Sequence, residues 1–433
     1  MDYDDSNADR ILLNDEDPDI SSEIQKNKSI ATPLRKSITP LIRVMQWTGF
    51  FPAGSEVPTQ HEPCYSALFR IVSACSILTT ISLFAMNSYM SHLVRTKFGL
   101  LSLDCIAMLV NGLKPCHGFI NLVIFGLTVR KHQQLLVLLF RTDDKLRKML
   151  GVKINFRRHI MFVLFSLVII FCLIFLLRLS QYIIIKERPG QSILSDMSLI
   201  LAPLLTVWQV LPLIYFSFLC SIVKSWFIYL RHELQRDRRL RHSRLDYYYQ
   251  LYLNIATVFK SVGNFFSLFL ATSYAVSILV LCFAIYFVTQ AKAEKFDFGD
   301  TQEIITISYL YWIWSGVHIF VASIYIVALC IIGTKTNEEA RSSVDSVLAL
   351  QSTKAEDDRY TVTCWIHKTH TQRCWGLSVW KTFPIERHLL FTIMSVLGTF
   401  AAVLLKLKQR STVENLHEVC DALQRLPGSN ETA

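Results

Sequence analysis

Ionisable and polar side chains interrupt an otherwise apolar segment of the sequence, residues 103–129. Four of them recur near seven-residue spacing, which places them on one face of a helix: Asp104, Asn111, Lys114 and Asn121. An ionisable group within a bilayer costs about 2.5–3.5 kcal/mol on insertion scales, so this face must turn toward protein or water. We expect Asp104 and Asn111 to line a ligand cavity. Hydrogen bonding between helices is the alternative interpretation.

Aromatic and polar residues also cluster in two other apolar segments. Tyr311, Trp314 and His318 follow the i, i+3, i+7 spacing of one helix face. Aromatic rings combined with a few polar groups are typical of pockets for organic ligands, although an interfacial aromatic belt would give the same pattern. Trp208 and Gln209, which lie between two prolines, extend the set of candidate ligand-binding residues.

A short segment of the sequence contains four side chains that can bind metal: Cys364, His367, His370 and Cys374. Their spacing matches no standard zinc finger, so we favour ordinary thiols and imidazoles over a metal site. The sequence also shows no phosphate-binding glycine loop and no nucleophile beside a recognisable base. We predict that the chain is not an enzyme and needs no cofactor.

Blocks of apolar residues, rather than a periodic pattern, dominate the 433-residue chain. Hydrophobic residues make up 52% of it, and the mean hydropathy is +0.35. A helix needs about 20 consecutive apolar residues to cross a bilayer core. The predicted spans are residues 67–89, 103–129, 160–181, 198–223, 265–288, 304–332 and 389–405. We therefore predict an all-α membrane protein with seven transmembrane helices.

The distribution of lysine and arginine predicts the orientation of these spans. The connections after spans 2, 4 and 6 hold nine, eight and eight such residues, whereas the alternating connections hold two each. Basic residues concentrate on the cytoplasmic side, so the N-terminus is predicted inside and the C-terminus outside. The net charge of +10 then reflects topology and contact with anionic lipid, and nucleic-acid binding is not needed to explain it. Asn430 becomes a candidate external glycosylation site.

Prolines and glycines indicate where the helices extend beyond the bilayer. No proline occurs between Pro212 and Pro384, so helices 4, 5 and 6 can continue into the cytoplasm. These extensions would form either a packed helical bundle or separate amphipathic helices. Pro384 and the residues before it predict a break that divides helix 7 into two parts. The first 25 residues are acidic and lack a signal-peptide pattern, so we expect insertion to begin at the first span.

The C-terminal helix resembles that of the insect gustatory receptor family. The family's signature is Thr-Tyr, five mostly apolar residues and Gln-Phe. This chain has Thr399-Phe400, five apolar residues and Lys406-Leu407, after a similar lead beginning at Phe383. Thr399 is retained, while Phe400, Lys406 and Leu407 replace the family's tyrosine, glutamine and phenylalanine. The chain length, seven helices and inverted orientation also fit the family.

The resemblance implies a tetrameric, ligand-gated cation channel, homomeric or built with related subunits, in the plasma membrane of sensory neurons. The ligand, a small-molecule tastant, would bind in the outer half among helices 2 to 6. The last helix would line the pore through Thr399, Phe400, Leu404 and Lys406. Four Lys406 side chains would then form a positive ring that opposes cation entry. The alternative is that Lys406 simply marks the point where the helix leaves the bilayer.

The predicted organisation has five regions. They are a partly disordered cytoplasmic region (1–66), six spans with the ligand pocket and inner extensions (67–332), an intracellular connection with the first part of helix 7 (333–386), a pore helix (387–407) and an extracellular tail (408–433). A secondary transporter is the alternative function. Such transporters usually show internal repeats, and the sequence shows none. The inverted orientation argues against a G-protein-coupled receptor.

Overall fold

Long α-helices make up nearly all of the chain that a computed structural model describes. The described residues are 33–51, 63–98, 103–150, 193–237, 245–291, 301–348, 363–367, 376–380 and 382–424, with positions 161, 165, 168, 169, 172 and 175. The helices are α1 (Pro33–Trp47), α2 (Pro63–Phe98), α3 (Leu103–Leu127), α4 (Val129–Leu150), α5 (Ile193–Asp237), α6 (Leu245–Ala291), α7 (Thr301–Leu348) and α8 (Arg387–Gln424).

Within the described residues, five helices are long and apolar enough to cross a membrane. Their candidate spans are Ala67–Tyr89, Leu204–Arg236, Asp246–Tyr286, Ser315–Ser343 and Arg387–Lys406. A sixth candidate is the bent pair formed by α3 and α4. The predicted span at 160–181 lies outside the described residues, apart from six positions, which are helical. The six other predicted spans each coincide with a helix.

Helices α5, α6 and α7 extend far beyond the length that a bilayer requires. They contain 45, 47 and 48 residues, or roughly 70 Å at about 1.5 Å per residue. These are the predicted helices 4, 5 and 6, and the prediction that they are longer than a span is confirmed; their extension into the cytoplasm stays a prediction. The extensions pack together as a bundle, because their facing side chains are buried: Trp226, Phe227, Leu230, Leu234, Tyr252, Ile255, Phe259 and Ala340.

The chain bends by 65° between α3 and α4. Thr128, the single residue between them, donates its hydroxyl to the Ile124 carbonyl at 2.7 Å, an interaction that often bends helices. Beyond the bend, α4 is amphipathic: Leu135 and Leu139 on one side are buried, while Arg130 on the other is exposed. We therefore describe α4 as a helix that follows the span rather than as part of it.

Helix α1 is docked on the helical bundle by its apolar face. Leu34, Ile38, Leu41 and Met45 are fully buried, as expected for i, i+4, i+7 and i+11 positions on one side of a helix. The chain then turns at Gly49, whose φ of +89° suits glycine. An added Cβ there would lie 2.6 Å from the Ser76 hydroxyl of α2, so the turn is closely packed as well.

A two-stranded hairpin precedes the last helix. Strands β1 (Ser378–Val379) and β2 (Phe383–Pro384) pair antiparallel, at the break that Pro384 predicted. Helix α8 follows and contacts α6 and α7. Its apolar part ends near Lys406, but the helix continues to Gln424, beyond the predicted boundary at residue 407.

Gly333 allows α7 to lie directly against the segment that leads into α8. A Cβ at this position would lie 2.5 Å from Cγ2 and 3.0 Å from Cβ of Ile385. Because Ile385 is β-branched and fully buried, it has little freedom to move away. We expect Gly333→Ala to lower the free energy of unfolding by about 1–3 kcal/mol, measured as a lower Tm of the detergent-solubilised protein.

Gly316 provides the matched control for this prediction. It lies in the same helix, and no described atom lies within 4 Å of the place that a Cβ would occupy. Gly316→Ala should raise helix stability by about 0.5–1 kcal/mol. An unchanged Tm in Gly333→Ala would show that the contact between α7 and Ile385 is not close in the folded protein.

Candidate functional site

A chain of buried polar side chains crosses the interior of the bundle. Nε2 of His117 on α3 lies 3.2 Å from the Ser273 hydroxyl on α6 and 3.4 Å from the Asn121 amide nitrogen. All three side chains are at least 97% buried. Because an amide nitrogen only donates, Nε2 of His117 must accept, and a neutral imidazole then carries its proton on Nδ1.

A proline explains why Asn121 has a partner on α5. Pro212 has no N–H, so the carbonyl of Trp208, four residues earlier, cannot receive its helical hydrogen bond. The Asn121 amide donates to that carbonyl at 3.4 Å. A polar group buried in lipid must be satisfied inside the protein, and here a side chain of α3 supplies the missing donor.

The Asn121 amide also presents an acceptor to the interior. Its Oδ1 atom is buried and has no hydrogen-bond partner within the described residues. The reverse amide orientation would place this oxygen against the Trp208 carbonyl, where two acceptors would face each other. The site therefore retains one unused acceptor, suited to a hydroxyl or N–H group.

Helices α5 and α7 join the same cluster through Gln209 and Tyr325. The Gln209 amide donates to the Lys114 carbonyl at 3.2 Å, and the Tyr325 hydroxyl donates to the Gln209 carbonyl at 3.1 Å. The rings of Tyr325 and His117 meet edge to face, with centroids 6.3 Å apart. Four helices thus meet at one polar site.

The Trp208 indole connects this site to α1. Its Nε1 atom donates to the Thr48 carbonyl at 2.9 Å, and the Ser76 hydroxyl of α2 donates to the same carbonyl at 3.4 Å. Thr48 directly follows α1, so its carbonyl has no helical donor of its own. The position of α1 is therefore linked to the residue beside Gln209.

The structure places some predicted ligand-binding residues in this cluster. Trp208 and Gln209 belong to it. His318 is buried on α7, seven residues before Tyr325 and on the same face. Asn111 is partly buried on α3. The backbones of Asp104, Tyr311 and Trp314 are helical, but their side chains lie outside the described part. Whether any of these residues binds a ligand stays a prediction.

The ligand-binding prediction did not include four residues of the cluster. They are His117, Asn121, Ser273 and Tyr325. The inward orientation of Asn121 and His117 was predictable from the sequence, because polar residues in an apolar span must face protein. The sequence did not distinguish Ser273 and Tyr325, since single serines and tyrosines are common in membrane helices.

The metal prediction concerns a segment that is only partly described. Cys364 is half-buried and His367 exposed, both within the short helical stretch 363–367. His370 and Cys374 lie outside the described residues, as does the glycosylation candidate Asn430. Among the residues that are described, no group of three or more potential ligands is close enough to hold a metal ion.

Helix α8 buries one narrow stripe and exposes the rest of its surface. Ile393 and Leu397 are its buried residues between 387 and 406, and Phe400 and Leu404 are partly buried on the same side. The opposite side carries a hydroxyl stripe followed by a lysine: Thr392, Ser395, Thr399 and Lys406, all exposed. Two of the predicted pore residues, Thr399 and Lys406, therefore lie on the exposed face, and the other two lie on the contact side.

Comparison with known proteins identifies the family. The sequence model of a family described as 7tm Chemosensory receptor matches residues 38–368, more than half of the chain. The chain belongs to this family. Its predicted all-α fold with seven transmembrane helices is thereby confirmed. The chain is also 28% identical over 387 residues to the probable G-protein coupled receptor egl-47 of Caenorhabditis elegans, covering 86% of this chain and 74% of the relative.

In this chemosensory receptor, one buried amide attaches α7 to the hairpin before α8. The Asn337 Nδ2 atom donates to the carbonyls of Leu377 and Ile385, at 3.1 and 2.9 Å. Its Oδ1 atom accepts the Leu377 N–H at 2.8 Å. Gly376, with φ of +123°, brings the backbone close, since a Cβ there would lie 2.7 Å from Oδ1. We call this arrangement the Asn337 clamp.

Two ion pairs reinforce the clamp at the start of α8. Arg387 lies 2.6 Å from Glu338, and Arg341 lies 2.6 Å from Glu386. All four side chains are partly or largely exposed, so these pairs add little to stability. They do connect α7 to the residues on either side of the start of α8.

The role of Asn121 can be tested with a double-mutant cycle that includes Pro212. Asn121→Leu leaves the Trp208 carbonyl without its donor, so we expect a lower Tm. Pro212→Ala restores an N–H that can reach the same carbonyl within α5. The cost of Asn121→Leu should therefore fall in the Pro212→Ala background, with a coupling energy of about 0.6 kcal/mol.

An amide with no interhelical role serves as the control. Partly exposed Asn254 donates to the Gln250 carbonyl of its own helix at 2.8 Å, so Asn254→Leu should change Tm little. Strict additivity of Asn121→Leu and Pro212→Ala would contradict the hydrogen bond that we assign between Asn121 and Trp208.

Proposed function

We propose that this receptor is a gustatory, ligand-gated, non-selective cation channel subunit. It assembles as a homotetramer or with related receptor subunits in the plasma membrane of sensory neurons, and it detects small-molecule tastants. The observation that carries the proposal is the exposed hydroxyl stripe of α8. It lies opposite the buried stripe that attaches α8 to the bundle.

The chemistry of the hydroxyl stripe suits the passage of cations. The Thr392 hydroxyl donates to the His388 carbonyl at 2.9 Å, and the Thr399 hydroxyl donates to the Ser395 carbonyl at 2.9 Å. Each hydroxyl hydrogen is therefore directed back to the helix, and the oxygen lone pairs remain for other partners. Rings of oxygen acceptors are what cation pores offer in place of hydration water.

Lys406 lies at the end of the apolar part of α8, and its positive charge repels the cations that these oxygen atoms attract. A unit charge at ~8 Å in a medium of ε ≈ 20 contributes about 2 kcal/mol, and solvation of the exposed ammonium reduces this value. Lys406 would therefore lower cation conductance without blocking it. Partner subunits that lack a lysine here would relieve the repulsion.

The polar cluster is the candidate recognition site for the ligand. The buried Asn121 oxygen can accept a hydrogen bond. The rings of Trp208 and Tyr325 are buried in the cluster, and His318 is buried about two turns along α7 from Tyr325. Such a combination suits a neutral organic molecule with an apolar body and at least one hydroxyl or N–H group. A ligand that replaces existing hydrogen bonds in the cluster would alter the contacts among α3, α5, α6 and α7.

The relative in Caenorhabditis elegans suggests a second candidate function, since it carries the name of a probable G-protein coupled receptor. A secondary transporter is a third. The first experiment therefore records whole-cell current from cells expressing the full chain, with G-protein signalling blocked, while sugars and bitter compounds are applied. A ligand-evoked cation current supports the channel. A response that requires G proteins supports the second candidate.

A substitution at Lys406 tests whether α8 lines the path of such a current. Lys406→Gln removes the positive charge, so we expect single-channel Na⁺ and K⁺ conductance to rise severalfold. Lys335→Gln is the control, because Lys335 is an exposed lysine on α7. An unchanged conductance in Lys406→Gln would indicate that Lys406 marks only the helix exit from the bilayer.

The ion pair between Glu338 and Arg387 allows a test of how α7 controls α8. Glu338→Arg places two cations together and should shift the ligand concentration for half-maximal current, with Tm nearly unchanged because both side chains are exposed. The exchange Glu338→Arg with Arg387→Glu should restore the original value.

A similar change inside one helix provides the control for this exchange. Glu233 lies 3.7 Å from Arg236 of the same helix, α5. Glu233→Arg therefore removes an ion pair without affecting the contact between α7 and the start of α8. It should leave the dose–response curve in place. Failure of the exchange to restore the curve would mean that the pair does not transmit the signal.

A further inference from the structure

The exposed side of α4 carries a stripe of basic residues. The helix contains six lysines and arginines but two acids. Its buried side includes Leu135, Leu139 and Leu146. On the opposite side, Arg130, Arg141 and Lys148 are exposed and Lys145 partly so. Their separations of 11, 15 and 18 residues from Arg130 return to nearly the same helix face.

The two acids of α4 form ion pairs near the C-terminal end of the helix. Asp143 pairs with Arg147 at 2.7 Å, and Asp144 pairs with Lys148 at 2.6 Å. Within the part of the chain that the structure describes, Arg130, Lys131 and Lys145 form no ion pair. The helix therefore presents uncompensated positive charge along about 20 Å, at roughly 1.5 Å per residue.

The stripe begins where the chain leaves the bilayer. Leu127, the last residue of α3, is 82% exposed, as expected for a lipid-facing leucine at the end of a span. The bend of 65° follows at Thr128, and Arg130 and Lys131 come directly after it. Because α4 departs at a steep angle to the span, it runs along the membrane surface more than away from it.

Helix α1, which contacts α4, shows the same pattern. Lys36, Arg43 and Trp47 are exposed on the side opposite its buried leucines. The Trp47 ring meets that of Phe69 edge to face at 5.5 Å, and Phe69 lies at the beginning of the first candidate span. Tryptophan favours the level of the lipid headgroups, so this contact places the end of α1 at the membrane surface.

We propose that the basic stripe of α4 binds the headgroups of anionic phospholipids, with the exposed side of α1 as a second contact. The orientation predicted from the lysine and arginine counts places both helices against the cytoplasmic leaflet, which is rich in such lipids. Each cation near an anionic surface contributes a roughly fivefold gain in binding. The proposal does not depend on whether the receptor conducts ions.

The test measures retention of phosphatidylserine and phosphatidylcholine by the purified full chain, using native mass spectrometry during lipid titration. The wild type should retain phosphatidylserine preferentially, and less of it as salt is raised. Arg130→Gln with Lys145→Gln should reduce that retention by about fivefold per cation, and Arg130→Glu with Lys145→Glu further. Retention of phosphatidylcholine should not change.

The matched control reverses two exposed lysines on other helices. Lys260→Glu with Lys335→Glu alters the net charge by the same amount as Arg130→Glu with Lys145→Glu. This control should leave phosphatidylserine retention unchanged. The proposal would be overturned if the wild type retained both lipids equally. It would also be overturned if the double variant Arg130→Gln with Lys145→Gln retained as much phosphatidylserine as the wild type. So would phosphatidylserine binding that occurs only after removal of residues 1–32, because the chain's own acidic segment would then occupy the stripe.

Discussion

Polar groups inside a bilayer must find their partners within the protein, and the arrangement of this receptor depends on that constraint. Water cannot satisfy a carbonyl that proline frees within the apolar part of a membrane protein. Pro212 creates such a carbonyl at Trp208, and Asn121 satisfies it from α3. The same asparagine reaches His117, which reaches Ser273 on α6. One missing N–H thus fixes the relative position of three helices.

Under the proposed function, the same constraint would link ligand binding to helix packing. The donors and acceptors of the site are largely paired with one another, but the Asn121 oxygen has no partner within the described residues. A ligand that binds this oxygen must fit among hydrogen bonds that already hold α3, α5, α6 and α7 together. Any change in those bonds changes helix packing, because a packed interior shifts between discrete arrangements rather than deforming gradually.

Movement of α7 would reach α8 through very few contacts. Within the described residues, α8 touches α6 and α7 along the stripe of Ile393 and Leu397. The hairpin before it is held by the Asn337 clamp and by the close approach at Gly333. The clamp satisfies two carbonyls and one N–H with a single side chain, so the hairpin follows α7 closely. The start of α8 is therefore tied to α7 more firmly than the rest of the helix is.

The sequence was sufficient for features that depend on composition over many residues. Six spans and the extensions of α5, α6 and α7 were predictable, because long apolar stretches without proline leave few alternatives. The family could be inferred from residues 383–407, although the match covers residues 38–368. Ser273 and Tyr325 were not predictable, since their role depends on which helices lie opposite them. Asn337 gave no signal either, because its partners lie 40 and 48 residues away.

The exposed surface of α8 is consistent with the proposed assembly of several subunits. Its sides carry large apolar residues such as Phe391, Met394 and Leu405, which are more than half exposed and suit lipid or another helix. The hydroxyl stripe and Lys406 between them suit water. A single subunit would have to expose both surfaces to one environment, whereas a ring of subunits around a pore separates them. Lysines in such a ring also repel one another, and these pairwise repulsions fall faster than the number of lysines as neutral partners replace them. Under the proposed function, a mixed assembly would therefore carry less positive charge at this position and far less repulsion between its lysines, while each copy of this chain still contributes the oxygen acceptors of Thr392 and Thr399.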